Sequence, residues 1–263
     1  MIRADLHVHT TISDGELDPE AVPAVARQAG LDAVAITDHD RLQPGLDGPV
    51  VRRDGVTVVH GIELRVDAGR QRVDLLGYGL EATPELEAAC ERIQRDRIER
   101  ARAIVDCIED RLGVVLDVDV YPGVGRPHIA RAIEESDAEF GYQEAFEALI
   151  GDGDPCFVAR EIPDFETGRR LLDEAAAFVG LAHPLRYRDR EHALGLAAEL
   201  DAVELSYPYD RDVDRDAVRR AIDRHELLAT GGSDAHGRRL GIAGLDAEAF
   251  ERVHKRLPHP TVG

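Results

Sequence analysis

Hydrophobic and polar positions along the chain follow two rhythms that alternate. The runs "IRADLHVH", "DAVAITDHD", "GVTVVHGIEL" and "RVDLLGYGL" are short and rich in β-branched residues, and read as strands. Between the first two lies "DPEAVPAVARQAG", a helical pattern with Asp18 as N-cap, Pro19 at the first position and Gly30 closing it. The last third repeats the rhythm. The helical patterns "TGRRLLDEAAAFV", "REHALGLAAEL" and "DRDAVRRAIDRHE" lead in turn to the strands "VGLAHP", "DAVELSY" and "LLATGGSDAH". Such alternation predicts βα units around a mostly parallel sheet or barrel.

The middle of the chain departs from this. "TPELEAACERIQRDRIERARAIVDCIEDRLG" keeps helical spacing through Leu86, Cys90, Ile93, Ala101, Ile104, Ile108 and Leu112, and Gly113 ends it. Helices around "PHIARAIEES" and "YQEAFEALIGD" follow. Residues 84–166 therefore read as a helical insertion between strands, either a cap over a site or a partner-binding arm. The placement of the polar motifs favours the cap.

Those motifs fall at strand ends. His7 and His9 are two residues apart, so on a strand they share a face about 7 Å apart. Asp14 follows. Asp38 and His39 end "ITDHD", Glu63 ends "HGIEL", Asp74 sits in "VDLLGY", His183 ends "LAHP", and Asp234 and His236 end "GGSDAH". Chemistry gathers at the carboxyl ends of strands in α/β sheets and barrels. Carboxylates and imidazoles converging in one cavity repel or stay unsatisfied without cations. The pattern predicts a centre of several metal ions. His60 falls on the opposite strand face from Glu63 and reads as structural.

Composition narrows the partners. The net charge is −20, and Lys255 is the only lysine among 32 basic residues. An acidic, arginine-rich, lysine-poor chain fits a halophile-like surface in a salty cytoplasm, where salt screens self-repulsion. That charge argues against long duplex nucleic acid, which binds by neutralising phosphates, but not against the end of a short oligonucleotide. No apolar run is long enough to span a membrane, and no signal peptide is seen. Cys90, Cys107 and Cys156 are odd in number and lack C-x-x-C; they read as buried thiols of a reducing cytosol rather than a disulfide framework. No Ser or Cys nucleophile with an adjacent base and no Walker-type loop appears.

"DLHVHTTISDG", "ITDHD", "GIEL" and "GSDAH" strongly resemble the four motifs of the polymerase and histidinol phosphatase (PHP) superfamily. The insertion, with "GRPHIARA", resembles that of a subgroup that includes nucleoside 3′,5′-bisphosphate phosphatases and 5′-to-3′ exoribonucleases acting on short RNA. The resemblance implies a distorted (β/α)7 barrel built from residues 1–83 and 167–263, with residues 84–166 capping the active site. It implies three metal ions, commonly manganese, iron or zinc. His7, His9, Glu63 and Asp234 would hold one; Glu63 would bridge to a second, held also by His183; Asp14, His39 and His236 would hold the third.

One position departs from the pattern. Where the family has a histidine eleven residues after the bridging glutamate, this chain has Asp74. Either the aspartate binds a hard ion there or the site is lost, so the expected cofactor is two or three divalent ions. Arg126 and His128 in "GRPH" are candidates for phosphate binding and leaving-group protonation, against a plain helix start with Pro127 in the first turn. Arg186 is a weaker phosphate-binding candidate. The expected activity is hydrolysis of a phosphate ester of a nucleotide or short oligonucleotide by attack of a metal-activated water. A histidinol-phosphate-type monophosphatase and a catalytically decayed metal-binding regulatory module are the alternatives. The substrate is thus expected to be small and phosphorylated, with no membrane partner; the oligomeric state is not readable.

Overall fold

In the computed structural model, which describes residues 1–262, the N-terminal apolar run becomes β1 (Ala4–Val8), buried along its whole length. β2 (Ala33–Ile36) pairs with it in parallel. β3 (Val50–Arg53) is an added strand, antiparallel to the long β4 (Val56–Asp67). The first half of β4 also pairs in parallel with β2, and its second half runs antiparallel to β5 (Arg72–Tyr78). β6 (Phe178–Leu181) is antiparallel to β5, and β7 (Ala202–Ser206) and β8 (Leu228–Gly231) continue in parallel. The main path is β1-β2-β4-β5-β6-β7-β8, with β3 and the short β9 (Thr261–Val262) beside it.

The sheet is mostly parallel, as expected, but it is mixed: β3 and β5 run antiparallel to their neighbours in the path around β4. The physical reason is local: only residues 68–71 join β4 to β5. A parallel crossover needs a dozen residues or more, whereas a short turn permits only an antiparallel return. The sheet is curled. Val8 bridges Ala235 beyond β8, and the His9 N–H donates to the Ala235 carbonyl at 3.0 Å. Gly232 lies so close to β1 that a Cβ there would come within 2.3 Å of the His7 backbone nitrogen.

The chain divides into two compact units, Met1–Cys90 with Ile162–Gly263, and Glu91–Glu161. In the first, α1 (Val22–Gln28) starts later than its sequence signal suggests. The Asp18 carboxylate accepts from the Glu20 N–H at 2.9 Å, which makes a separate turn, and Pro23 takes the early helical position. Helices α5 (Phe165–Ala175), α6 (Arg190–Leu196), α7 (Arg215–His225) and α8 (Ala247–His254) have Asp164, Asp189, Asp214 and Asp246 as N-caps, each accepting a first-turn N–H. A cap of this kind contributes about 1 kcal/mol, and its charge suits the helix dipole. Part of the acidic composition thus stabilises helix starts.

α2 (Pro84–Leu112) is one helix, followed by Gly113 at a φ of 69°. In the Glu91–Glu161 unit, α3 (Arg126–Glu135) and α4 (Tyr142–Ala148) share a core with it that includes Ile104, Ile108, Ile129, Ile133 and Leu149. Cys107 and Cys156 form a disulfide, with their Cα atoms 5.6 Å apart. This corrects the expectation of three free thiols. Their separation of 49 residues hides a proximity that the packing of the unit creates. Cys90 is free and buried. Among the described residues no helix is long and apolar enough to cross a membrane.

Candidate metal centre

His7, near the end of β1, and His9, just past it, are both fully buried, and their rings lie 5.1 Å apart. They face Glu63 from the middle of β4 and Asp234 from beyond β8. His7 Nε2 is 3.4 Å from both Glu63 Oε2 and Asp234 Oδ1; His9 Nε2 is 3.3 and 3.0 Å from the same two atoms. A second group forms around Asp14, with His236 Nε2 at 3.4 Å, His39 Nε2 at 3.9 Å and His9 Nδ1 at 4.0 Å. A third joins Glu63, His183 and Asp74: His183 Nε2 is 2.8 Å from Glu63 Oε1 and 3.7 Å from Asp74 Oδ2. Within each group one donor atom per residue lies within 4.8 Å of the others. His9 belongs to two groups, a sharing that the sequence does not reveal.

The backbone is bent to present these side chains. Asp40, His183 and Asp234 hold φ values of 50°, 28° and 51°. Such conformations cost non-glycine residues roughly 1–3 kcal/mol each and persist only where the surroundings enforce them. Hydrogen bonds enforce them here. The Asp40 N–H donates to the Glu63 carbonyl at 2.9 Å, and the His183 N–H to Glu204 Oε2 at 2.7 Å.

A supporting layer surrounds the groups. Glu204 Oε1 is 3.2 Å from His7 Nδ1, a carboxylate partner that favours a proton on that nitrogen and leaves Nε2 facing the converging donors. Asp38 accepts from the Thr10 N–H, the Thr10 hydroxyl and the Ser13 hydroxyl at 2.6–2.8 Å, tying down the loop that leads to Asp14. Asp5 does the same beyond β8, accepting from the Ser233 N–H and hydroxyl and the Gly241 N–H. Arg186 and the Tyr207 hydroxyl both donate to Asp234 Oδ2, at 3.0 and 2.8 Å. Glu204, Asp5 and Tyr207 were not singled out from the sequence. A glutamate inside the otherwise apolar "DAVELSY" was the available signal for Glu204.

Electrostatics make the centre a cation site. Burial opposes charge on the His9 imidazole, but the facing Asp234 and Glu63 carboxylates outweigh it and lift its pKa to about 10. His7 is raised well above its usual value against the same desolvation, by Glu63, Glu204 and Asp234. Burial would raise Glu63 and Asp234, yet both lie below the carboxylate range, chiefly through His39 and His7 for Glu63 and through His7 and His9 for Asp234. His7 Nε2, both His9 nitrogens, Glu63 Oε2, His183 Nδ1 and Asp234 Oδ1 are buried and make no hydrogen bond. Buried polar atoms are normally hydrogen-bonded. Several unpartnered nitrogen and oxygen atoms converging from imidazoles and carboxylates are the donor set of divalent metals, whose charge would take the place of the protons on the imidazoles. The residues fit the expected ions.

The remaining candidates have other partners. Arg126 opens α3; its Nη1 donates to the Ile150 carbonyl and to Asp152 Oδ1 at 3.0 and 2.8 Å, and its guanidinium lies over the Phe146 and Phe157 rings. His128 Nδ1 accepts from the Gly125 N–H at 3.1 Å, closing the first turn, and its Nε2 meets the Tyr121 hydroxyl. His60 is buried away from the centre, with Nε2 accepting from the Gln43 N–H at 3.1 Å. Burial lowers its pKa to about 4.

Residues 5–151 match the model of the PHP domain. The chain is 31% identical to the 3′,5′-nucleoside bisphosphate phosphatase of Chromobacterium violaceum, over 90% of this chain and 88% of that protein. It is 28% identical to a 5′-3′ exoribonuclease of Haemophilus influenzae, over 70% of this chain and 69% of that protein. A solved structure from Bifidobacterium adolescentis, 23% identical, shares the fold with a TM-score of 0.79 over 98% of this chain and 97% of its own. The chain belongs to the PHP domain family.

Proposed function

We propose that this protein is a metal-dependent phosphoesterase acting on the phosphate ester of a nucleotide or of a short oligonucleotide end. The observation that carries the reading is the set of buried imidazole and carboxylate atoms left without hydrogen bonds at one place. The relatives support the substrate class: one is named for nucleoside bisphosphates and another for RNA.

In this reading His7, His9, Glu63 and Asp234 hold one ion, and Asp14, His39 and His236, with His9, hold another. Glu63, His183 and Asp74 are the ligands available to a third. Mixed nitrogen and oxygen donors suit manganese, iron or zinc. Such ions lower the pKa of bound water and offset charge on phosphoryl oxygens. The protein's part is positional. Glu204 fixes the His7 tautomer, and Asp5 and Asp38 fix the loops that carry Asp234 and Asp14. Arg186, with its side chain about half exposed while it pairs with Asp234, is proposed to meet a substrate phosphate.

Arg126 and His128 are proposed as contacts for a second phosphate or a nucleotide backbone. Support comes from the Glu91–Glu161 unit itself. Burial first, then the nearby Arg126, Arg160 and Arg97, bring the Arg100 pKa down to about 10. Four guanidinium groups crowded together in a chain of net charge −20 make a local attraction for anions. We place the enzyme in the cytoplasm on its halophile-like composition.

The test is hydrolysis of a generic aryl phosphate by the manganese-loaded protein, followed by a 3′,5′-bisphosphonucleoside and a short 5′-phosphorylated RNA. Turnover that a chelator abolishes and manganese restores is expected. Release of inorganic phosphate from the bisphosphonucleoside marks a phosphatase; release of mononucleotides from the RNA marks an exonuclease. A metal-replete protein inert on all three substrates overturns the reading.

A further inference from the structure

Arg65 on β4 and Asp74 on β5 stand directly opposite each other in the antiparallel register. The guanidinium meets the carboxylate with both arms: Nε lies 2.7 Å from Oδ1 and Nη2 lies 2.7 Å from Oδ2. Asp74 is 1% exposed, so its end of the pairing is shielded from water, while the Arg65 side chain remains about a third exposed. The Arg65 backbone N–H donates to Asp40 Oδ1 at 3.0 Å, and the Asp74 N–H donates to the Tyr187 hydroxyl at 2.8 Å, which fixes both strands at this point.

The same Asp74 Oδ2 is 3.7 Å from His183 Nε2, and with Glu63 these residues make the third of the three donor groups. The groups are not equivalent. In the His7–His9–Glu63–Asp234 group Arg186 takes only Asp234 Oδ2, and Asp234 Oδ1, Glu63 Oε2 and the Nε2 atoms of His7 and His9 are buried and make no hydrogen bond. In the third group both oxygens of its second carboxylate accept from a cation already present. A bidentate guanidinium–carboxylate pair is strong and geometrically fixed. A dication drawn to this group would approach a permanent positive charge held at the same carboxylate, in a buried setting where repulsion is poorly screened.

We propose that Arg65 takes the place of a metal ion at the Glu63–Asp74–His183 group, so that this protein works with a two-ion centre. The guanidinium supplies fixed positive charge beside Glu63 and His183, and Asp74 serves as its counter-ion rather than as a ligand. This rests on the metal-dependent reading above and deepens it. It also accounts for the aspartate at a position where the resembling motif carries a histidine: an imidazole would bind an ion, whereas a carboxylate binds an arginine.

The test is elemental analysis of the manganese-saturated, desalted full-length protein, with Arg65→Gln and Asp74→Asn alongside. Two equivalents per chain are expected in the wild type, three in R65Q, where Asp74 is released to bind, and two in D74N. Three equivalents in the wild type, falling to two in D74N, would make Asp74 a ligand and overturn the proposal while leaving the metal centre intact. Two equivalents in both wild type and R65Q would show that Arg65 is not what excludes the ion. A wild type that retains none would overturn the metal reading itself, a distinguishable failure. Should R65Q not fold, as judged by circular dichroism, the wild-type and D74N counts decide alone.

Discussion

Glu204 holds His7 at a distance of 3.2 Å through Nδ1, from the side away from the converging donors. Its other oxygen accepts the His183 N–H, so one fully buried carboxylate orients residues of two donor groups. Glu204→Gln keeps the size but removes the charge. The substitution is expected to weaken manganese binding about 10–100-fold, measured by titration against a competing chelator, with the circular dichroism spectrum unchanged. Equal affinity in the variant would reduce Glu204 to a packing residue.

The Gly232 position tests the closeness of the two ends of the sheet. An alanine Cβ would sit 2.3 Å from the His7 Cβ and backbone nitrogen, with no flexible side-chain tip to yield. Gly232→Ala is expected to cost about 3 kcal/mol or more, at the upper end for overpacking. It should also lower metal retention, because the strain falls on a ligand. Urea unfolding of the metal-free variant and its manganese count together check this.

His60 gives the pH dependence of stability a definite sign. Its pKa is lowered to about 4 by burial, against an ordinary value of 6.5. The folded protein therefore binds fewer protons at this site than the unfolded chain between those limits, and stability falls as pH drops from about 6.5 toward 4. The full loss is about 3 kcal/mol. In metal-free protein, the urea midpoint of His60→Gln should fall less steeply over that window than the wild type's. Parallel curves would rule out His60 as the source.

The disulfide makes a countable prediction. Burial pushes the free Cys90 thiol up to about 12, so the native protein should not react with iodoacetamide at neutral pH. Denatured without reductant it should yield one thiol, and with reductant three. Breaking the Cys107–Cys156 link should cost about 2–4 kcal/mol, given the long loop it closes. Three thiols from the unreduced, denatured chain would mean that the bond does not form.

Much of the donor set was legible because each member sits in a short local pattern at the end of a strand, and strand ends converge in a curled sheet. "HVH", "TDHD" and "SDAH" announce themselves without any knowledge of what they face. Glu204 and Arg65 do not, since their meaning lies in partners 197 and 9 residues away, His7 and Asp74. The antiparallel return at β5 was readable from the shortness of its turn but was passed over. β3 likewise had a hairpin signal in Asp54-Gly55, whose φ values of 52° and 83° suit a tight turn. The disulfide was hidden for a different reason: Cys107 in α2 and Cys156 in the turns after α4 meet only after the unit has packed.

The left-handed backbone at His183 and Asp234 sets two goals against each other in any attempt to engineer this chain. Glycine would relax the conformation at both positions, and a screen scored only on thermal stability should favour it there. The same replacement would delete an imidazole from one donor group and a carboxylate from another. Libraries sorted for melting temperature and libraries sorted for metal retention should therefore part company at these two codons first, where the amino acid best for the backbone is not the one the chemistry requires.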